Sequence, residues 1–398
     1  MGNHSSKKIV AQKTNSKKRG SNRGPDPSVT TLLMLCARAG GRCEFRGCNR
    51  VLFRDEITLN EFNDTNVAHI VASSPNGPRG DATRSHQLSN KIENLMLVCL
   101  EHHKMIDDKK LVALYSEECL LKMKRDHECA MELAGDALNF DSSHILLFSS
   151  PIKGIQDTTI SKNQAVSAML STKRPAKAEP DSIRIQCDLD YDDAAYWTTV
   201  DASLRKKFLE RVANITQQNA EAHFSVFPLA PIPLIMKLGY LMGDKVRADI
   251  YQKRRYPDTW EWQEKSSGSE FYCMKEDALS DGDEVGLVVS LSASKSAEDK
   301  ASFASAVGAK VIYEIKASKP DVDCISTLDD LSRFWHGYQK TIDVICSENP
   351  GCKDICVLSA VPVSAAFEMG RRYMPGIYPK MRIFDFNNGF RETLTIGE

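Results

Sequence analysis

The sequence predicts two folded units of different class: a small α+β unit of two strands and a helix built around a metal ion over residues 28–140, and an α/β unit with a largely parallel sheet over 141–398. Three observations carry this reading. Cys43 with Cys48, and Cys99 with His102, are two pairs at metal-ligand spacing on either side of residues 49–98. The residues between the pairs read as strand, turn, strand, and a helix begins beside Cys99. Beyond Phe140, strand-like runs alternate with amphipathic helical stretches, the pattern of parallel strands joined by crossover helices.

In chain order, residues 1–27 are polar and basic, with Lys7, Lys8, Lys13, Lys17, Lys18, Arg19 and Arg23 ahead of any acid. With no hydrophobic period they are expected to be a disordered arm. Val29 to Ala37 reads as a helix leading into the Cys43 knuckle. Residues 50–71 read as strand, turn and strand, with His69 on the second strand in the alternating NVAHIV. After the loop SSPNGPRGD, Asn90 to Val98 leads into a helix starting near Cys99, and a further helix from about Ser116 to Leu138 closes the unit.

In the second unit HILLFSS (144–150), IRIQCDLD (183–190), VGLVVSLSAS (285–294), KVIYEIKAS (310–318), ICVLSAVPV (355–363) and MRIFDF (381–386) are strand-like. A helix starts at Thr327, with Asp330 three residues on as a capping signal, and places Leu328, Leu331, Trp335, Tyr338, Ile342 and Ile345 on one face. KRPAKAEP (173–180) reads as a surface loop or a linker within the unit. Ligands of such sheets bind at the carboxyl ends of the strands.

Composition narrows the class. At 42% hydrophobic and 26% charged residues over 398 positions, the chain has enough apolar content for ordinary cores, and no apolar run approaches the ~18 residues of a membrane span. The N-terminus has lysines but no apolar signal core, so a cytoplasmic protein without membrane association is expected. Twelve cysteines spread over such a chain are then core residues or metal ligands rather than a disulfide framework.

The chemistry concentrates between Cys43 and Asp107. Both ligand pairs can converge on one tetrahedral ion, and structural zinc would supply folding energy to a motif too small to build a core; without an ion the cysteines would be ordinary buried thiols. His69, Asn94 and His103 stand beside them in the order His, Asn, His. CEFRGC, NVAHIVASSPNGPRGD and ENLMLVCLEHHKMID together resemble the HNH endonucleases, whose signature ends in Asn-Leu, a cysteine knuckle and a histidine directly after the second knuckle ligand; here His102 stands where a second cysteine is usual. That resemblance implies a ββα-metal fold with His69 as general base, Asn94 ordering the loop that carries it, and His103 as ligand of a catalytic divalent ion, Mg2+ or a close substitute. Imidazole suits the base role because it titrates near neutral pH, and the ion would stabilise charge on the phosphorane and the leaving oxygen. Many members of that family have an Asp or His ligand just before the base. This chain has Ala68, which leaves Asp81, Asp107 or water for the second position.

Residues 224–262 (FSVFPLAPIPLIMKLGYLMGDKVRADIYQKRRYPDTWEW), VVSLSAS and residues 357–390 (VLSAVPVSAAFEMGRRYMPGIYPKMRIFDFNNGF) resemble the SAVED domain, a Rossmann-like sensor related to CARF. An HNH domain joined to SAVED is the layout of effector nucleases in the cyclic-oligonucleotide antiphage systems called CBASS. The resemblance implies a double-stranded DNA substrate, a cyclic di- or trinucleotide activator and a homo-oligomer on activation. Flat bases stack on rings and guanidinium planes, and phosphates take bidentate Arg. Gln252, Arg255, Trp260 and Trp262, with Arg371, Arg372 and Tyr373, are the candidates, although Trp260 and Trp262 alternate like one face of a core strand. Beside a nuclease, the basic arm is either a solvated tail or a flexible arm for DNA phosphates. The rival expectations are a modification-dependent HNH restriction endonuclease and a non-catalytic, zinc-stabilised DNA-binding regulator.

Overall fold

The computed structural model describes residues 23–55, 57–153, 158–277, 282–386 and 389–397. The arm lysines and Arg19 lie outside them. The chain divides into two compact units, Met1–Asp136 and Ala137–Glu398.

The first unit comprises α1 (Val29–Arg38), β1 (Asn66–His69), α2 (Arg84–Leu88), β2 (Leu95–Val98), α3 (Leu100–Asp107) and α4 (Glu117–Asp136). Ser28 caps α1 by accepting from the Thr31 N–H. Pairing differs from the expected hairpin over 50–71. The antiparallel partner of the His69 strand is β2, with His69 opposite Leu95 and Asn66 opposite Val98. Residues 50–65 make only the isolated bridges Arg42–Val51 and Arg54–Glu61. The chain reverses at Asp55–Asn60: the Asp55 carboxylate accepts from the Ile57 and Thr58 N–H groups at 3.1 and 2.7 Å, Leu59 takes φ +58°, and the Asp55 N–H donates to the Asn60 carbonyl at 2.9 Å. Leu35, Leu52, Ile70, Leu95 to Val98, Ile106 and Leu120 form this unit's core.

The second unit runs β3 (Ser142–Ser149), α5 (Lys162–Met169), β4 (Arg174–Pro175), β5 (Asp181–Arg184), α6 (Tyr196–Phe208), α7 (Asn214–Gln218), β6 (His223–Leu229), α8 (Ile232–Met242), β7 (Arg247–Ile250), β8 (Phe271–Asp277), β9 (Glu284–Ser290), α9 (Ala297–Val307), β10 (Ala309–Ala317), α10 (Leu328–Glu348), β11 (Asp354–Ala360), α11 (Val363–Arg371), β12 (Lys380–Phe386) and β13 (Phe390–Ile396). It holds two sheets rather than one. The first, β4-β3-β6-β7 with β5 also on β3, is parallel throughout. The second, β13-β12-β11-β9-β10-β8, is parallel at its centre and antiparallel at both edges. The unbroken burial of Val285 to Ser290 in β9 fits a central strand covered on both faces, whereas most of β8 is exposed at its edge.

Two expectations are corrected here. The strand over 183–190 is only Asp181–Arg184, because β3 offers it just Leu146–Ser149; the other end of β3 is taken by Arg174 and Pro175, so the KRPAKAEP stretch supplies an edge strand where proline's missing N–H costs nothing. In α10 the capping box forms, Thr327 and Asp330 each accepting from the other's backbone N–H, but Leu328 is 57% exposed while Phe334 and Thr341 are buried. No helix among the described residues is long and apolar enough to cross a membrane.

Helices α8 and α11 cross at two glycines. A Cβ on Gly239 would lie 2.1 Å from the Phe367 carbonyl oxygen, and one on Gly370 would lie 1.8 Å from that of Met236. Backbone cannot yield as a side-chain tip can, so Gly370→Ala is expected to destabilise this unit by at least ~1–3 kcal/mol, read as a lowered Tm of its calorimetric transition. An unchanged Tm would mean that the helices separate freely.

Candidate functional site

In the first unit the cysteine knuckle and the start of α3 meet. Cys43 leads the knuckle, Cys99 is the N-cap residue of α3, and His102 lies in its first turn. The donor atoms of Cys43, Cys48, Cys99 and His102 all lie within 4.8 Å of one another. His102 Nδ1 is 3.1 Å from Cys99 Sγ and 3.6 Å from Cys43 Sγ, against the ~3.6 Å edge that a tetrahedral ion with Zn–N and Zn–S bonds of about 2.0–2.1 and 2.3 Å requires. Phe45 stacks on the His102 ring with centroids 4.0 Å apart and fixes its plane. Burial pushes the Cys43 thiol up to about 12, and the neighbouring Cys48 and Cys99 add to the rise while backbone N–H groups of Cys99 and Phe45 oppose it. A set of three sulfurs and one imidazole therefore lacks only the positive charge a zinc ion would bring, and the cluster fits that ion.

In the same unit, His69 ends β1, opposite Leu95. Its Nε2 is 3.1 Å from the Ser89 carbonyl oxygen, which can only accept, so Nε2 carries the proton and Nδ1 keeps a lone pair. Burial lowers the pKa of the ring from its ordinary value, and Arg23 adds to this, against the Ser89 hydrogen bond and Asp107. A neutral imidazole with one free lone pair is the form a general base needs. Buried Asn94 joins the flanking loops: its Oδ1 accepts from the Val71 N–H at 2.7 Å, and its Nδ2 donates to the carbonyls of Val71 and Leu88 at 2.9 and 3.3 Å. The fully buried Ala68 points away from the His69 face.

His103, on α3, places Nε2 3.2 Å from the Val67 carbonyl, which leaves its Nδ1 as the available donor atom. Half-exposed Asp107 lies one turn on, its Oδ2 3.8 Å from Nε2, on the side of the ring that faces Val67 rather than at Nδ1. Asp81 is committed elsewhere. Its Oδ1 accepts from the Arg84 and Thr83 N–H groups at 2.8 and 2.9 Å, its Oδ2 faces Arg84, and these contacts hold its carboxyl down to about 2.

Sequence reasoning missed Arg79. It adopts φ +54°, and its guanidinium donates to the carbonyls of Ile70, Ile106 and Tyr115 at 2.6, 2.9 and 3.2 Å, tying the end of β1 to the end of α3. An Arg in a Pro-Gly-rich loop signals nothing until those carbonyls converge.

In the second unit a cleft of ≈ 420 Å3 opens at the carboxyl ends of β6, β9, β11 and β12. The helices α8 and α11 begin there, each behind a proline (Pro231 and Pro362). Pro231 with Gly239 and Pro362 with Gly370 are the same strand-proline-helix-glycine device used twice, a spacing legible in the sequence but not recognised there. Tyr191 and Phe384 supply rings, and Lys153, Lys253 and Arg255 supply charge. Lys153 pairs with Asp192 at 3.6 Å and Lys253 with Asp258, whereas exposed Arg255 has no carboxylate partner among the described residues. Gln252, 5% exposed, accepts from the N–H and hydroxyl of Ser364 at 3.1 and 2.7 Å, bracing the start of α11.

The other ligand candidates lie elsewhere. Trp260 is 1% exposed and edge-on to Phe227 at 5.5 Å, so neither ring face is open to a base. Trp262 packs between two core clusters. Arg371 spends its guanidinium on the carbonyls of Gly243, Val246 and Ala248 at 3.2, 3.1 and 2.8 Å. Arg372 is held by Glu368 at 2.7 Å and lies 4.1 Å over the Trp335 ring, in a separate groove between α10 and α11. Tyr373 is buried and donates to the Tyr378 carbonyl at 3.0 Å. Mixed aromatic and cationic stretches look alike whether they face a ligand or close a core.

Comparison with known proteins bears on this second unit. Residues 207–396 match the family model for the "SMODS-associated and fused to various effectors sensor domain", SAVED, so the unit carries a SAVED domain of mixed-sheet α/β structure. Similar solved structures include the Cap4 SAVED/CARF-domain containing receptor of Acinetobacter baumannii with the cyclic trinucleotide 2'3'3'-cAAA, at 11% identity and TM-score 0.41, covering 80% of this chain and 67% of that one. The same receptor with 3'3'3'-cAAA gives 11% identity, TM-score 0.42 and the same coverages. The Cap4 receptor of Moraxella osloensis gives 12% identity and TM-score 0.38, with 79% and 66% covered. No curated protein sequence matches the chain.

Proposed function

We propose that this chain is a DNA endonuclease of the antiphage type, switched on when a cyclic di- or trinucleotide occupies the cleft of its SAVED domain. The observation that carries the reading is the joining, in one chain, of a sensor domain to a strand–strand–helix unit that holds both His69, in the form of a neutral base, and a zinc-type cluster. His69 Nδ1 takes the proton of the water that attacks the phosphorus, while Ser89 and Asn94 keep the ring and its loop in place. A divalent ion held by His103 and Asp107 would supply charge stabilisation for the phosphorane and the departing 3' oxygen. One such site cuts one strand, so a double-strand break calls for two copies brought together by assembly.

The decisive assay is plasmid degradation with Mg2+ across a panel of cyclic di- and trinucleotides. Cleavage that needs one of them supports the gated nuclease; equal cleavage with and without every member points to a restriction enzyme, and no cleavage under any condition to a binding protein. Arg255→Ala is expected to raise the activator concentration needed about ten- to hundredfold, the value of a charge-assisted phosphate contact, with near-normal rates at saturation. Arg371→Ala should instead lower the Tm of the second unit, since three backbone carbonyls lose their donor.

A further inference from the structure

We propose that Arg23 holds the scissile DNA phosphate beside His69, an assignment that rests on the nuclease reading above. The residues before α1 are fastened to both loops that position the base. The Gly24 N–H donates to the Ser73 carbonyl at 2.8 Å, and Arg23 Nε donates to the Ser73 hydroxyl at 2.8 Å; Ser73 is 7% exposed and lies in the loop that follows β1, beyond Ile70, Val71 and Ala72. On the other side, a Cβ on Gly24 would lie 2.5 Å from Ser89 Oγ, so only glycine lets the backbone approach this closely. Ser89 is the residue whose carbonyl fixes His69 Nε2.

The guanidinium itself stays available. Its side chain is 34% exposed, and its Nη2 is 3.5 Å from the carboxylate of Asp26, which is 79% exposed. A pair this open to water is weak and gives way to a better anion. A phosphodiester is such an anion, because its oxygens match the fork of a guanidinium. The Gly24 backbone bond already pins this segment, so the charge of Arg23 is not needed as a fastening. It lies near enough to help keep His69 neutral, which is where a cation meeting the substrate phosphate belongs.

The test uses the full chain with Mg2+ and the most effective member of the cyclic-oligonucleotide panel. In a His69→Ala background, in which cleavage is too slow to consume the probe during the measurement, binding of a short fluorescent duplex is measured against salt. Arg23→Ala should weaken binding about ten- to hundredfold and lower the salt slope by about one. Arg23→Gln keeps a donor for Ser73 but removes the charge, and should behave like Ala; Asp26→Ala, which removes the competing carboxylate, should bind as tightly as the parent or tighter. Gln that binds like the parent, or Ala that binds with unchanged affinity and slope, overturns the assignment, as does an Ala variant whose only change is a lower Tm. Duplex cleavage by the wild type with an unimpaired Arg23→Ala leaves the nuclease reading standing and removes this one. A wild type that neither binds nor cuts duplex removes both.

Discussion

His69→Ala is expected to lower the cleavage rate by roughly 10²–10⁴-fold with zinc content, Tm and activator binding unchanged, because a general base acts only in the chemical step. The ring is tied to the rest of the unit through the Ser89 carbonyl, and it is partly exposed, so its loss opens no core cavity. A pH profile sharpens the expectation. The base works in its neutral form, and burial, with Arg23 behind it, lowers its pKa; activity should therefore persist as pH falls through the ordinary histidine value of ~6.5 and fail only below it. Near-wild-type nicking by the Ala variant would remove His69 from the chemistry. An acid limb above the ordinary histidine value would show that something other than a desolvated imidazole is titrating.

Cys99→Ser is expected to release one zinc ion per chain and unfold the first unit while the second stays folded. Structural zinc in small motifs contributes on the order of 10 kcal/mol at neutral pH, comparable to the whole stability of a domain. Cys99 is fully buried at the N-cap of α3, its N–H lies 3.4 Å from Cys43 Sγ, and its carbonyl accepts the His103 N–H at 2.9 Å. Losing the ion would therefore disturb the helix that carries both the proposed zinc ligand His102 and the proposed magnesium ligand His103. The second unit has its own extensive core and no described residue in the cluster. Calorimetry should lose one transition and keep the other, and elemental analysis should find the zinc gone. A purified wild type without zinc, or a fully folded Cys99→Ser, would turn the cluster into buried thiols.

Local pattern determined a good deal by itself. The ligand spacing that brings three sulfurs and an imidazole within 4.8 Å is a property of one knuckle and one helix turn, and the capping box at Thr327 is a property of four successive residues. The runs that became β9 and β11 were legible because a strand buried on both faces reads as a nearly continuous apolar run. What needed the tertiary structure is whatever depends on partners distant in sequence. The His69 strand pairs with Leu95–Val98, a partner distant in sequence, rather than with its neighbour in the chain. Arg255 and Arg371 have similar sequence surroundings, yet one faces the cleft and the other is consumed by three carbonyls that converge from β7 and its approach. Trp260 and Arg372 likewise left the candidate ligand site only when Phe227 and Trp335 were seen against them. A side chain's chemistry is written in its type, but whether that chemistry is free to meet a ligand is decided by which distant backbone and side-chain groups the fold brings to it, and by how much water the fold leaves there.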